Sequence, residues 1–243
     1  KPGVALLYGI TGSGKTMIYL KLIADCLERG EGAMVLVPEI ALTPQVLQLF
    51  ASYFGDCVAV LHSSLQVGER YDEYKRIRSG SATVILGTRS AVFASVQNLG
   101  LIIVDEEQEH TYKSENAPRY HAKEIAIYRG VKEHALVLLG SATPSMESMY
   151  QARSGAYTLY QLHNRFNGQV LPQVELVDMN QDAPPGETSF GGTLARALQE
   201  NFQEGRQSIL LLNRRGYHTF ASCKTCHEVV SCPHCSISLT YHS

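Results

Sequence analysis

Gly9, Thr11, Gly12, Ser13, Gly14, Lys15 and Thr16 form a glycine-rich run between an apolar stretch and a segment of helical periodicity. This pattern suits a phosphate-binding loop. The glycines free the backbone to wrap an anion, Lys15 reaches the β and γ phosphates, and the Thr16 hydroxyl can ligate Mg²⁺. About ninety residues downstream, Leu101-Ile-Ile-Val104 delivers Asp105-Glu106-Glu107-Gln108 from what reads as a buried strand. Beside such a loop, Asp105 supplies the metal-holding carboxylate and Glu106 orients or deprotonates an attacking water. The acid pair favours a hydrolase over a small-molecule kinase, which has no use for activated water. A chance glycine turn and a surface acid pair are the bland alternatives. The strand before the loop and the helix after it weigh against them.

Other segments have chemistry of their own. Thr43 before Pro44 reads as a helix N-cap. Thr88, Arg89 and Ser90 suit a sugar-phosphate backbone, although a plain turn fits equally. From Glu109 to His121, Tyr112 and Tyr120 alternate with Lys113, Arg119 and His121, a stacking surface for unpaired bases or else a solvated loop. Hydroxyls in Gly140-Ser141-Ala142-Thr143-Pro144-Ser145 can hydrogen-bond the Asp105–Gln108 segment across neighbouring strand ends. Cys223, Cys226, Cys232 and Cys235 form two CxxC pairs, a spacing that favours zinc over a redox dithiol. Their pairing stays open, with His227, His234 and His242 as weaker ligands.

The elements needed to position these groups are legible. Strands are expected at Val4–Tyr8, Ala33–Val37, Val58–Leu61, Thr83–Leu86, Leu101–Val104 and Leu136–Leu139, mostly separated by helical patterns. Such alternation gives an α/β fold: a parallel sheet with helices on both faces, and ligands at the C-terminal strand ends. The helix carrying Arg70, Lys75, Arg76 and Arg78 mixes charges of both signs and reads as a solvated face. A domain boundary is expected near Leu162, with Val174–Val177 as a strand in the connection. Helix Leu194–Phe202 and buried strand Ser208–Leu212 would then open a second sheet.

The chain has 243 residues, 44% of them hydrophobic, and a net charge of −2. It can fill a core, but any polyanion must be met by local clusters and not by a bulk basic field. No apolar run reaches the ~18 residues of a membrane span, and no secretory leader stands at Lys1, so a cytoplasmic setting without membrane association is expected. Cys26 and Cys57 lie singly among apolar residues and read as core filler. The abrupt start at Lys1 and the stop after the cysteines suggest a piece of something longer.

Taken in order, the Gly9–Thr16 loop, Val37-Pro-Glu-Ile-Ala-Leu-Thr-Pro-Gln45, Gly87-Thr-Arg-Ser-Ala91, Asp105-Glu-Glu, Tyr112-Lys113, Arg119-Tyr-His-Ala122, Gly140-Ser-Ala-Thr-Pro144, Asn213-Arg-Arg-Gly-Tyr217 and the CxxC pairs resemble the PriA family of bacterial replication-restart helicases. That family lies within helicase superfamily two. The resemblance runs nearly end to end and implies an RecA-like P-loop lobe at 1–162, the start of a second such lobe at 163–222, and part of a zinc-binding insertion at 223–243. It implies an ATP- and Mg²⁺-dependent 3′ to 5′ DNA helicase that acts at stalled or repaired forks. Its expected partners are forked and single-stranded DNA, single-stranded-DNA-binding protein and primosome proteins. Carried over by position, Lys15, Asp105, Glu106 and Gln108 are catalytic, while Thr43, Arg89, Tyr112, Lys113, Arg119, Tyr120 and Arg214 meet DNA. The four cysteines belong to a two-zinc insertion. Where the family's acidic box ends in histidine, this chain has Gln108, so the pH response is expected to differ. Without an arginine finger from the rest of the second lobe, feeble turnover is expected.

Overall fold

Met34-Val-Leu and Leu101-Ile-Ile-Val are apolar on successive residues, and such a run is stable only where both faces of a strand are covered. The computed structural model shows that arrangement, and it describes residues 3–166, 172–182 and 190–211. Two compact units divide after Leu171.

In the first unit, β1 (Val4–Gly9), β2 (Gly32–Leu36), β3 (Val58–Leu61), β4 (Val84–Gly87), β5 (Leu99–Asp105), β6 (Leu136–Ser141) and β7 (Thr158–Leu162) form one sheet in the order β3-β4-β2-β5-β6-β1-β7. All six pairings are parallel. Helices α1 (Lys15–Glu28) and α2 (Pro44–Phe54) cover one face, where Tyr19, Ile23 and Phe50 pack on Leu7, Val35 and Ile103. Helices α3 (Val67–Ser79), α4 (Ala122–Glu133) and α5 (Met146–Arg153) cover the other, where Ile77, Ala126 and Ala152 pack among Leu6, Met34 and Ile102. Each fully buried aliphatic side chain contributes about 1.5–3 kcal/mol, so the two apolar faces hold the sheet in place.

Local signals agree with the elements they predict. Thr43 Oγ1 accepts a 3.4 Å hydrogen bond from the Val46 N–H, with Pro44 opening α2. Gly30 follows α1 at φ +71°, which only glycine adopts without strain. Helix α3 buries Ile77 alone, as a solvated helix should.

Four expectations need correction. Strand β7 was not anticipated: its residues are polar or half-exposed, as suits the sheet edge, so no apolar run marks it. Val174–Val177 forms no strand, and Leu176 is 96% exposed. Nor do Ser208–Leu211, with Leu212 outside the described residues, and Ile209 is 97% exposed. An apolar run becomes a strand only beside a partner that completes its backbone ladder, and neither segment has one among the described residues. Finally, Cys57 is exposed in the turn before β3, whereas Cys26 is buried.

In the second unit, α6 (Met179–Asp182) precedes α7 (Gly192–Gln203), which matches the expected helix. Both Asp182 carboxylate oxygens accept from the Thr193 N–H at 3.1 and 3.0 Å, a charge-assisted cap on α7. Among the described residues, no helix is long and apolar enough to cross a membrane.

Candidate active site

Strand register brings the chemistry together. Asp105 at the end of β5 lies level with Gly140 on β6, and Ser141 of β6 lies level with Tyr8 on β1, just before the glycine loop. The Lys15 loop and the acid segment therefore share one edge of the sheet, separated only by β6.

The loop itself is tight. The Ser13 N–H returns to Ile10 O at 3.0 Å, and Gly12 and Gly14 take φ of +77° and +90°. At Gly9 a Cβ would meet Ser13 Oγ at 2.5 Å and Leu162 Cβ at 3.1 Å, so only glycine fits. Helix α1 has no side-chain N-cap. The Lys15 ammonium donates to Gly9 O at 2.9 Å, while Ser13 Oγ is buried with no partner among the described residues. Uncapped donors at a helix N-terminus, a lysine and an orphaned hydroxyl fit a phosphate ligand. Thr11 and Thr16 are exposed beside them.

Opposite stands Asp105, whose Oδ1 accepts a 2.8 Å hydrogen bond from the Tyr19 hydroxyl of α1. Burial pushes the Asp105 carboxyl above its ordinary range, while the Tyr19 hydrogen bond and the Lys15 charge act the other way. A buried carboxylate that resists ionisation beside a lysine gains from a divalent cation, which favours the charged form. Glu106 follows at φ +46°, a left-handed conformation uncommon outside glycine and often found at functional sites. Its Oε2 accepts from Gln108 Nε2 at 2.9 Å, Gln108 Oε1 accepts from Ser141 Oγ at 2.6 Å, and Ser141 Oγ accepts from the Thr143 N–H at 2.9 Å. The expected hydroxyl contact between the two segments is thus present.

Glu107 turns inward, with its residue 1% exposed. It accepts from Lys123 Nζ at 2.7 Å, the Ser145 N–H at 2.6 Å and Ser148 Oγ at 2.8 Å. Burial raises its pKa, but the Lys123 and Ser145 hydrogen bonds outweigh that and leave it below the ordinary carboxylate value.

The polyanion candidates fare unevenly. Tyr112 is no stacking surface: it is 1% exposed, and its hydroxyl reaches Leu36 O at 3.0 Å and Asp105 O at 2.7 Å. The short turn His110–Tyr112 drives the ring beneath the strand ends, where apolar burial outweighs the polar character of the surrounding sequence. Arg89 Nη1 donates to Thr111 O at 3.2 Å and Lys113 O at 2.6 Å, so it holds the loop. Tyr120 is half-buried edge-on to Phe93, ring centroids 4.8 Å apart. Lys113 and Arg119 are exposed, and Lys113 pairs with His121 across a β-bridge that closes the loop. A cavity of about 330 Å³ lies between Pro38, Arg89, His110, Lys113 and Asn116. Thr43 spends its hydroxyl on the α2 cap. Arg214, Cys223, Cys226, Cys232 and Cys235 lie outside the described residues. Among the described residues, no cluster of three metal-ligating side chains is present.

Sequence reasoning missed Tyr19, Lys123 and Ser148. Tyr19 alone left a trace, one helical turn after Lys15 and so on the same face of α1.

Residues 4–152 match the DEAD/DEAH box helicase family. The chain is 50% identical over 240 residues to the replication restart protein PriA of Bacillus subtilis, covering 98% of this chain and 30% of that protein. It is 43% identical to PriA of Chlamydia pneumoniae, covering 98% and 32%. Among solved structures, RecG bound to a three-way DNA junction superposes on 67% of this chain and 21% of that one, with TM-score 0.49 and 27% identity. This chain thus spans about a third of the length of its curated relatives. With its glycine loop and acidic box on one sheet edge, the chain belongs to the DEAD/DEAH box helicase family.

Proposed function

We propose that the chain is the ATP-hydrolysing core of a DNA translocase that works at stalled or repaired replication forks, moving 3′ to 5′ as part of replication restart. The observation that carries the ATPase reading is the placement of Lys15, in the loop after β1, and Asp105, at the end of β5, on one edge of the sheet with only β6 between their strands, where the lysine's charge is felt at the carboxyl. Lys15 and the α1 N-terminus bind the phosphates, Asp105 holds magnesium, and Glu106 takes a proton from the attacking water. Magnesium, when bound, neutralises charge on the transferred phosphoryl group. The Glu106–Gln108–Ser141 relay ties the water-activating carboxylate to the strand beside β1. Movement at the nucleotide therefore has a route to the rest of the lobe.

DNA is the expected polyanion, met by Arg119 and Lys113 with Arg89 holding their loop. This reading is supported by the similarity to PriA proteins and by the exposure of both cations. Single-stranded-DNA-binding protein and primosome proteins are proposed as partners on the same similarity. The spacing of Cys223, Cys226, Cys232 and Cys235 supports structural zinc.

The test is ATP turnover by the longer protein with forked, single-stranded and duplex DNA, beside Glu106→Gln. Fork-stimulated turnover that falls about 10²-fold or more in Glu106→Gln is expected. Turnover that stays negligible and identical in both proteins would leave a fork-binding module in which nucleotide only tunes affinity.

A further inference from the structure

Residues 163–166, directly after β7, lie against the glycine loop. The last pair in the β1–β7 ladder is Gly9 with Leu162, so the glycine loop and residues 163–166 emerge side by side. The Phe166 N–H donates to Gly12 O at 2.8 Å, strapping this segment to the loop. The Phe166 ring edge lies beside Gly14, where an added Cβ would sit 3.8 Å from Cδ2. Yet the phenylalanine is 78% exposed. Next to it, the Arg165 Nε–H is buried and has no acceptor among the described residues.

An exposed ring fixed by its own backbone beside a phosphate loop is an expensive arrangement for a free surface, since it neither buries apolar area nor frees the chain. A buried N–H without an acceptor is unfavourable as well. One ligand would relieve both. The metal-holding carboxylate Asp105 stands on the β5–β6 side of the loop, and Phe166 on the opposite, β7 side. A triphosphate with its γ end toward Asp105 points its nucleoside toward β7.

We infer that Phe166 is the base-stacking residue of the nucleotide site and that Arg165 donates to an oxygen of the ribose or α-phosphate. The inference rests on the ATPase reading above and assigns the base-side wall of that site to the segment after β7. Stacking on one ring recognises any purine face, so discrimination between adenine and guanine is not expected from Phe166.

The chain contains no tryptophan, which makes Phe166→Trp a single-site reporter. Calorimetric titration with MgADP and with magnesium tripolyphosphate separates the base from the phosphates. Phe166→Ala is expected to weaken MgADP about tenfold or more while leaving tripolyphosphate unchanged. Lys15→Ala should weaken both. In Phe166→Trp, the fluorescence should be quenched by MgADP but not by tripolyphosphate, with MgADP affinity retained. Equal MgADP affinity in Phe166→Ala and the unaltered chain, or an equal loss for both ligands, would overturn the assignment. Failure of the unaltered chain to bind MgADP at all would instead overturn the ATPase reading, and the stacking role with it.

Discussion

The Tyr19 hydroxyl, one turn into the helix that follows the glycine loop, donates to Asp105 Oδ1 across 2.8 Å. The helix after the glycine loop and the strand that carries the acidic segment are thereby joined by one side-chain bond, although β6 lies between β5 and β1, the strand from which the helix springs. Gly140 of β6 leaves room for it, since a Cβ there would overlap the Tyr19 hydroxyl.

Tyr19→Phe removes the donor and leaves burial to act on Asp105 with less opposition. The carboxyl pKa, already raised, rises further. In the role proposed above Asp105 must be ionised to hold magnesium, so the acid limb of MgATP turnover is expected to move to higher pH. A pH–rate profile reads this directly, and a limb that stays put or moves to lower pH would refute it. The sign for stability follows from the same shift. The folded chain keeps its proton longer than the unfolded one, so without metal, stability falls as pH climbs from the ordinary carboxylate value to the raised one. Saturating Mg²⁺ should flatten that slope.

At Gly140 even a methyl group is too much. In Gly140→Ala the new Cβ would lie 3.3 Å from Asp105 Oδ1 as well as on the Tyr19 hydroxyl, and neither can retreat through the packed sheet. Overpacking of this kind costs about 1–3 kcal/mol, visible in the urea midpoint. Loss of MgADP affinity should accompany it, because the displaced atoms include Asp105 Oδ1, proposed above to hold magnesium. In the Gly140→Ala, Tyr19→Phe double variant the collision is partly relieved, and the two stability losses should sum to more than the combined one.

The Glu107–Lys123 pair makes the opposite pH prediction. Glu107 has a lowered pKa, so its contribution is complete above the ordinary carboxylate value and is lost as pH falls through the folded value. Glu107→Ala leaves the Lys123 ammonium with only the Ser145 and Ser148 hydroxyls and no counter-charge, and the Ser145 N–H without its acceptor, a cost of about 3 kcal/mol. Denaturant melts of both proteins should show that gap near neutral pH and its collapse in acid. A gap that persists unchanged at the lowest pH tolerated by the fold would mean that Glu107 acts by packing alone.

What the sequence makes visible here is whatever is written in consecutive residues. Val4–Tyr8 and Leu101–Val104 announce buried strands because both faces are apolar, and the Gly9–Thr16 spacing fixes the loop. Tyr19 with Asp105 is invisible in that sense, because it depends on strand order: β1 was added beside β6, not beside β2. Tyr112 misleads for a related reason. Its neighbours Glu109, Lys113 and Glu115 read as solvent, yet a single short turn rotates the ring under Leu36 and Asp105. Strand β7 is silent because an edge needs no apolar run.

Gln108 makes a prediction about pH that the family's histidine would not. Its amide donates to Glu106 and accepts from Ser141 at once, and neither function titrates. The relay in this chain should therefore add no limb near the ordinary histidine pKa of about 6.5. Gln108→His introduces one: the imidazolium has two donors and no acceptor, so the Ser141 bond breaks as pH falls. Turnover of Gln108→His should decline below about pH 6.5 relative to the unaltered protein. Superimposable profiles would show that the relay carries nothing in turnover.

Tyr112→Phe separates a structural tyrosine from a nucleic-acid contact. The hydroxyl lies between Leu36 O and Asp105 O, joining the ends of β2 and β5 from beneath, and the ring has no face open to a base. Removing it leaves two buried carbonyls short of a donor, at about 1–2 kcal/mol, which denaturant melts would register. Fork affinity of the longer protein, and its slope with salt concentration, should hardly change. Arg119→Ala, at an exposed cation, should do the reverse: stability within about 0.5 kcal/mol of the unaltered protein, and a salt slope shallower by about one. A Tyr112→Phe variant that keeps its stability but loses fork binding would return the ring to the DNA surface.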